Sequence, residues 1–302
     1  MPVPRQEWIS LLGHDVMVGR NKLPKFVVVI ISVIVAAIVI ASAFLVLFYA
    51  GVIPLAGTVV TRNSGAFTVG NGYSVSFNAS NTNLNVVNSP NGTVYLTIRV
   101  VDFFLGSAPG VNISSQFSQN SVVLDAVILH SGFSQSTATL YLPTGLTAHR
   151  AEATVSNGNI EISASASSDR LYFETSNGNI GFTESTGNDI HLITDNGNIN
   201  IKTAGLLNVT ASAQNGNINL QTVGSVVTSA ATYLSTNNGN IAINLNTLTS
   251  VKLTASTTIG VVRVSGLPFT SVVSTSTKYF GVLGAGDATL HATTQNGNID
   301  IS

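Results

Sequence analysis

The sequence predicts an all-β ectodomain, a repetitive parallel β-solenoid, carried behind a single N-terminal transmembrane helix. Three observations predict it. The phrase Asn-Gly-Asn-Ile occurs six times, starting at Asn157, Asn177, Asn196, Asn215, Asn238 and Asn296, and the first five copies follow at intervals of 20, 19, 19 and 23 residues. A period of that length marks stacked copies of one supersecondary unit. Apolar residues alternate at period two around each copy, as in Leu171, Phe173 and Thr175 before the second and Ile180 and Phe182 after it; this is the pattern of half-buried strands. Upstream, residues 26–50 form an apolar run without a charge.

Residues 1–25 read as a cytoplasmic tail. It holds Arg5, Arg20, Lys22 and Lys25, and the next basic residue is Arg62. The positive-inside rule therefore places 1–25 in the cytoplasm and the C-terminal domain outside a plasma membrane crossed once. Trp8, Ile9, Leu11 and Leu12 give the tail a short amphipathic stretch, suited to interfacial packing or partner docking. At 1.5 Å per residue, the run from Phe26 to Ala50 makes about 37 Å of helix, against a hydrocarbon core of about 30 Å. Ala41-Ser42-Ala43 resembles a signal-peptidase site, but the run is longer than the roughly 7–15 apolar residues of a signal peptide. Membrane lipid around 26–50 is the first expected partner.

Residues 51–65 serve as a linker. Residues 66–145 are β-rich, with runs such as Tyr73–Phe77 and Val94–Val100 separated by turn clusters at Asn88–Gly92 and Gly106–Gly110. They read as a capping region that begins the solenoid, or as a small separate sandwich. Residues 146–302 hold the repeats. Between Asn238 and Asn296 there is room for two worn copies, one at Ile259-Gly260-Val261-Val262 and a weaker one at Phe280-Gly281-Val282-Leu283. Asn-Gly favours a type I′ turn with φ > 0, so an antiparallel hairpin meander or sandwich is the rival architecture, pairing Thr175 with Ile180. Like-on-like stacking explains the constant period; hairpins do not. The last repeat, at Ile299–Ser302, is expected to present an open solenoid end, a route to self-association by strand addition.

Only 8% of residues are charged and the formal net charge is −1, which argues against nucleic-acid binding. There is no cysteine, so disulfides and thiolate metal sites are excluded. No cofactor or metal motif is present, and the histidines lack ligand spacing. Enzyme activity is not expected. Glu152, Glu161, Asp169, Glu174, Glu184, Asp189 and Asp195 are scattered over successive units, so a glycan-degrading β-helix is the least favoured reading.

A strand ending in Leu-Pro-x-Gly, Leu142 to Gly145, followed by serial Asn-Gly-Asn-Ile copies, resembles the adhesin-like family of prokaryotic cell-surface proteins with Gly-Asn/Asp-Ile repeats. The resemblance covers roughly residues 66–302. It implies an extracellular β-repeat domain and surface attachment, and supplies no catalytic residues. This chain prefers Asn where the family often has Asp, which lowers any expectation of calcium between the turns.

Five residues before each turn lie Glu152, Tyr172, His191, Thr210, Tyr233, Thr254 and His291. In a parallel stack they form one outward stripe with steps of about 4.8 Å. Tyr172, His191, Tyr233 and His291 are the candidate glycan-binding residues, although Tyr and Thr also suit a solvated strand face. Asn78, Asn91, Asn112 and Asn208 begin N-glycosylation sequons. The expected function is surface attachment, envelope structure or assembly, with surface glycans as candidate partners. The alternative is a receptor or signalling anchor whose cytoplasmic tail binds a partner.

Overall fold

The computed structural model describes residues 8–11, 14–17, 33–35, 38–39, 42, 58–102, 110–129, 134–165, 167–183, 186–224, 229–245 and 250–302. The chain divides into two units, Met1–Leu55 and Ala56–Ser302. In the first, strands Trp8–Leu11 and His14–Met17 pair antiparallel. Residues 33–35, 38–39 and 42 are helical. Most of the proposed 26–50 span lies outside the described residues, and among those described no helix is long and apolar enough to cross a membrane.

The second unit is all-β, built from a 12-stranded and an 11-stranded sheet that share one core. Each Asn-Gly-Asn-Ile copy joins a long strand in the first sheet to a short strand in the second. Ser167–Asn177 is thus followed by Ile180–Thr183, and Thr186–Asn196 by Ile199–Thr203. Successive coils pair in parallel, in register, like on like. Ile160, Ile180, Ile199, Ile218, Ile241 and Ile299 form one column, and every member is fully buried. On the facing sheet Leu171, Ile190 and Val209 stack the same way. The period near 20 is therefore a requirement of register, because a slip of one residue would turn each column into water. The hairpin alternative, Thr175 against Ile180, is not what forms: Thr175 pairs with Val155 and Thr194.

Gly158 and Gly297 have positive φ, of 150° and 159°, but the other four turn glycines have a different cause from the one expected. Gly178, Gly197, Gly216 and Gly239 are absent from the positive-φ residues. A Cβ on any of them would instead lie 1.8–2.0 Å from the carbonyl oxygen of the corresponding glycine one coil away. Glycine is needed here for close backbone approach rather than for a left-handed turn.

The asparagines close the corner as two ladders. Nδ2 of Asn177, Asn196, Asn215, Asn238 and Asn296 donates to Oδ1 of the matching Asn on the previous coil, at 2.8–3.0 Å. In the second ladder Oδ1 of Asn159, Asn179, Asn198 and Asn217 accepts from the backbone N–H of the next coil's Asn, at 2.8 Å. Inside the corner, the buried Thr175, Thr194, Thr236 and Thr294 donate to glycine carbonyls at 2.8–2.9 Å. These positions look merely tolerant of polarity in the sequence. They are in fact satisfied buried donors.

At both ends the coils stack out of sequence order. Tyr73–Ala79 lies between Ser121–Leu129 and Thr147–Asn157. Asn83–Ser89 lies between Ser134–Pro143 and Ile160–Ile162. Residues 73–89 thus form a coil of the stack. At the other end Ala288–Asn296 runs parallel between Ala231–Asn238 and Val251–Ile259. Ile299–Ile301 does the same between Ile241–Asn244 and Val262–Val264. The expectation of an open end at Ile299–Ser302 is corrected: that coil is paired on both edges. The copy at Ile259–Val262 forms a true coil, outermost in the parallel stack. The copy at Phe280–Leu283 does not; Lys278–Leu283 instead pairs antiparallel with Val251–Ile259.

Antiparallel strands finish three of the four sheet edges. Gly110–Ser118 covers one sheet and Val94–Asp102 with Thr58–Phe67 the other, while at the far end Lys278–Leu283 and Thr270–Ser274 cover the first sheet and Val262–Val264 is the edge of the second. A change from parallel to antiparallel pairing interrupts the uniform edge that a solenoid would otherwise expose.

Candidate glycan-binding surface

The outward stripe exists, with one change of order. Register runs Glu152, Tyr172, His191, Thr210, Tyr233, His291, Thr254. Insertion of the 288–302 coil places His291 directly beside Tyr233. Their rings stack with centroids 5.1 Å apart and an interplanar angle of 5°. Tyr172 and His191 are neighbours too, tilted by 38° at 6.2 Å.

The stripe has two characters. Around Tyr172 it is ionic. The Tyr172 hydroxyl donates to the Glu174 carboxylate at 2.6 Å, Arg150 pairs with Glu152, and Asp189 lies 2.8 Å from His191 Nε2 and 3.7 Å from Arg170 Nε. Tyr172 and His191 are thereby engaged by their own neighbours. Around Tyr233 it is open and aromatic. Tyr233 is 46% exposed, and the row continues across the antiparallel strand to Phe280, 41% exposed, and Val273. Sequence reading missed Phe280 because its strand was taken for a worn repeat.

Two hollows flank this aromatic end. One of about 330 Å³ is lined by Thr254, Ser256, Val273, Lys278 and Phe280. The other, about 260 Å³, is lined by Ser235, Asn237, Thr258, Lys278, Thr293 and Gln295. An aromatic face bordered by hydroxyls, amides and one ammonium group has the chemistry to hold a sugar ring: apolar C–H groups on the ring faces, hydroxyls on the rim.

The second sheet carries a larger, shallow groove of about 800 Å³, which the sequence reading also missed. Glu161, Asn200, Asn219, Gln221, Asn244 and Asp300 line it, and Asn219 Nδ2 donates to Asn200 Oδ1 at 2.8 Å. Its signal was the position between the two buried apolar residues after each turn, which is polar at Glu161, Asn200, Asn219 and Asp300. The sequon asparagines Asn78, Asn91, Asn112 and Asn208 are all exposed. Asn78 Nδ2 donates to Asp125 at 3.0 Å, and Asn208 Oδ1 accepts from the Ala231 N–H at 2.8 Å. Among the described residues no group of His, Asp and Glu converges to hold a metal ion.

The Toastrack DUF4097 family profile matches in two overlapping stretches, residues 73–254 and 144–302, which together span most of the chain. The chain belongs to the Toastrack DUF4097 family. Toastrack is a solenoid-like fold, in keeping with the stacked coils described above. No curated protein matches the sequence. Similar solved structures include a "putative cell adhesion protein" from Clostridium sporogenes, 12% identical, covering 81% of this chain and 98% of its own, with a TM-score of 0.37. A "putative adhesin" from Bacteroides fragilis is 14% identical, covering 81% of this chain and 97% of its own, also with a TM-score of 0.37. A "putative lipid binding protein" from Parabacteroides distasonis is 13% identical, covering 82% and 98%, with a TM-score of 0.32.

Two tyrosines of this Toastrack chain make it sensitive to alkali. The hydrogen bond to Glu174, and then burial, push the Tyr172 phenol up to about 12. Burial alone pushes Tyr73 up to about 12, and its hydroxyl is fully buried with no hydrogen-bond partner among the described residues. Both folded values lie above the unfolded value near 10. The folded state therefore holds its protons longer, and the associated stability is complete below pH 10 and lost as pH rises towards 12. Urea midpoints measured from pH 8 to 12 should fall across that window. Tyr73→Phe should flatten the fall and raise stability at pH 8 by about 1 kcal/mol, since it removes an unsatisfied buried hydroxyl.

Proposed function

We propose that this chain is a membrane-anchored extracellular β-repeat protein whose rigid sheet attaches a cell to surface glycans, without catalysis. Residues 1–25 lie in the cytoplasm and 26–50 cross the plasma membrane. Residues from about 51 onward stand outside, with Asn78, Asn91, Asn112 and Asn208 as acceptors in a host that N-glycosylates. The observation that carries the reading is the stack of exposed Tyr233 on His291, continued through Thr254 to Phe280 and bordered by two polar hollows. Residues 58 positions apart in the sequence meet there on a surface held rigid by parallel pairing on both sides.

Binding of the full chain to isolated cell-wall polysaccharide and to an array of host glycans tests the reading. Tyr233→Ser should weaken binding about tenfold, the size expected for losing one aromatic contact of about 1–1.5 kcal/mol. Tyr172→Ser should do less, because that ring is already committed to Glu174. Unchanged binding by a chain carrying both Tyr172→Ser and Tyr233→Ser would remove the glycan reading.

The hairpin Trp8–Leu11 with His14–Met17 supports a second reading, a signalling anchor whose tail contacts a cytoplasmic partner. A pull-down comparing the full chain with one lacking residues 1–20 separates the two.

A further inference from the structure

Residues 288–302 occupy a slot whose walls both come earlier in the sequence. One wall is Ala231–Asn238 with Ile241–Asn244, the other Val251–Ile259 with Val262–Val264. The fit is complete on both sides. Asn296 donates to Asn238 at 2.8 Å, and Asn298 Oδ1 accepts from the Val261 N–H at 3.0 Å. Asp300 accepts from Arg263 at 3.2 Å, and Leu290, Ala292, Ile299 and Ile301 are buried. A short link, Gly284-Ala285-Gly286-Asp287, joins this coil to the preceding strand, Lys278–Leu283.

The link turns sharply. Gly284 has φ of 63° and Gly286 of 74°. A Cβ at Gly284 would come within 3.2–3.3 Å of Ser250, and one at Gly286 within 3.0 Å of Lys252 and Val282. Ser250 pins the turn: its hydroxyl donates to Asp287 at 2.8 Å and accepts from the Asp287 N–H at 3.2 Å.

We propose that this chain self-associates by exchanging residues 288–302 between two copies, each filling the slot of the other. The occupant is fixed by the structure, because the same segment of a second copy meets the same walls with the same hydrogen bonds and buried side chains. The closed and exchanged forms differ only in the link. Straightening it gives up the closed turn and its Ser250–Asp287 bonds, and closing within one chain is favoured by high local concentration. Chain concentration and the stability of the closed link therefore set the balance.

The absence of native cysteine makes the connection readable. Ser235 and Thr293 are exposed register partners with hydroxyls 3.4 Å apart, a spacing that a disulfide can bridge. The full chain is prepared in detergent as two single variants, Ser235→Cys and Thr293→Cys. These are mixed, refolded together and oxidised. Exchange gives a disulfide-linked heterodimer on a non-reducing gel, in a fraction that rises with chain concentration. Adding Gly284→Ala to both, which strains the closed link, should raise that fraction about tenfold. A mixture of Ser212→Cys and Ser235→Cys, partners within the unexchanged stack, should give none. Monomer alone at every concentration and with both links would overturn the proposal, as would equal cross-linking in the control mixture.

Discussion

Alanine at Gly216 should cost at least about 3 kcal/mol and open the stack near its middle, although the substitution adds only one methyl group. The new Cβ would sit 1.8 Å from the Gly197 carbonyl oxygen and 2.5 Å from its carbon. Both contacts are with backbone, so no rotamer change relieves them. The coils must move apart, which stretches the Gly197 N–H to Asn215 carbonyl bond at 3.0 Å and the Asn215 to Asn196 amide bond at 3.0 Å. Gly181 supplies the control. A Cβ there would meet only the carboxylate end of the Glu161 side chain. That group is exposed and can swing away, so Gly181→Ala should change stability by less than about 0.5 kcal/mol. Thermal melts of the two variants test the close-approach account of the motif. Equal effects would mean that close approach between coils does not single out the motif glycine.

The contrast shows what the sequence made legible. The local unit was readable because one phrase fixes everything around it. Asn gives the ladder, Gly the approach, and Ile180 or Ile199 the inward column at a fixed offset. The outward stripe was readable for the same reason, since offset from the motif sets the face. The order of coils was not. Leu290, Ala292, Ile299 and Ile301 alternate like Leu253, Ala255, Val262 and Val264, so period and pattern fit either neighbour equally well. Only long-range pairing decides between them. The aromatic site inherited that limit: Tyr233 meets His291 because a coil was inserted, and Phe280 joins the row through an antiparallel strand that resembled a repeat. The proposed membrane span rests on the charge and apolar pattern of residues 1–50.

Aspartate at Ile299 should therefore be among the most damaging single changes in the domain, costing more than about 4 kcal/mol. If coils were stacked in sequence order, Ile299 would belong to the outermost coil, with one side of its column open and room for a carboxylate to reach water. Inserted as it is, Ile299 lies between Ile241 and Val262 and is 0% exposed. A carboxylate there would have no basic partner within the column and no path outward, so it must stay neutral or unfold the coil. Loss of this coil also removes the support of Val251–Ile259 and the antiparallel strands beyond it, so the damage spreads outward to the cap. Val262→Asp is the matched comparison. Val262 belongs to the outermost coil and keeps 8% exposure, so its substitution should cost clearly less, about 2 kcal/mol. Hydrogen exchange on the two variants would read the order directly. Ile299→Asp should release protection across residues 231–244 and 251–264 together, whereas Val262→Asp should release only the outer coil and its cap. The reverse ranking would place the coils in sequence order, and the slot for residues 288–302 would not exist.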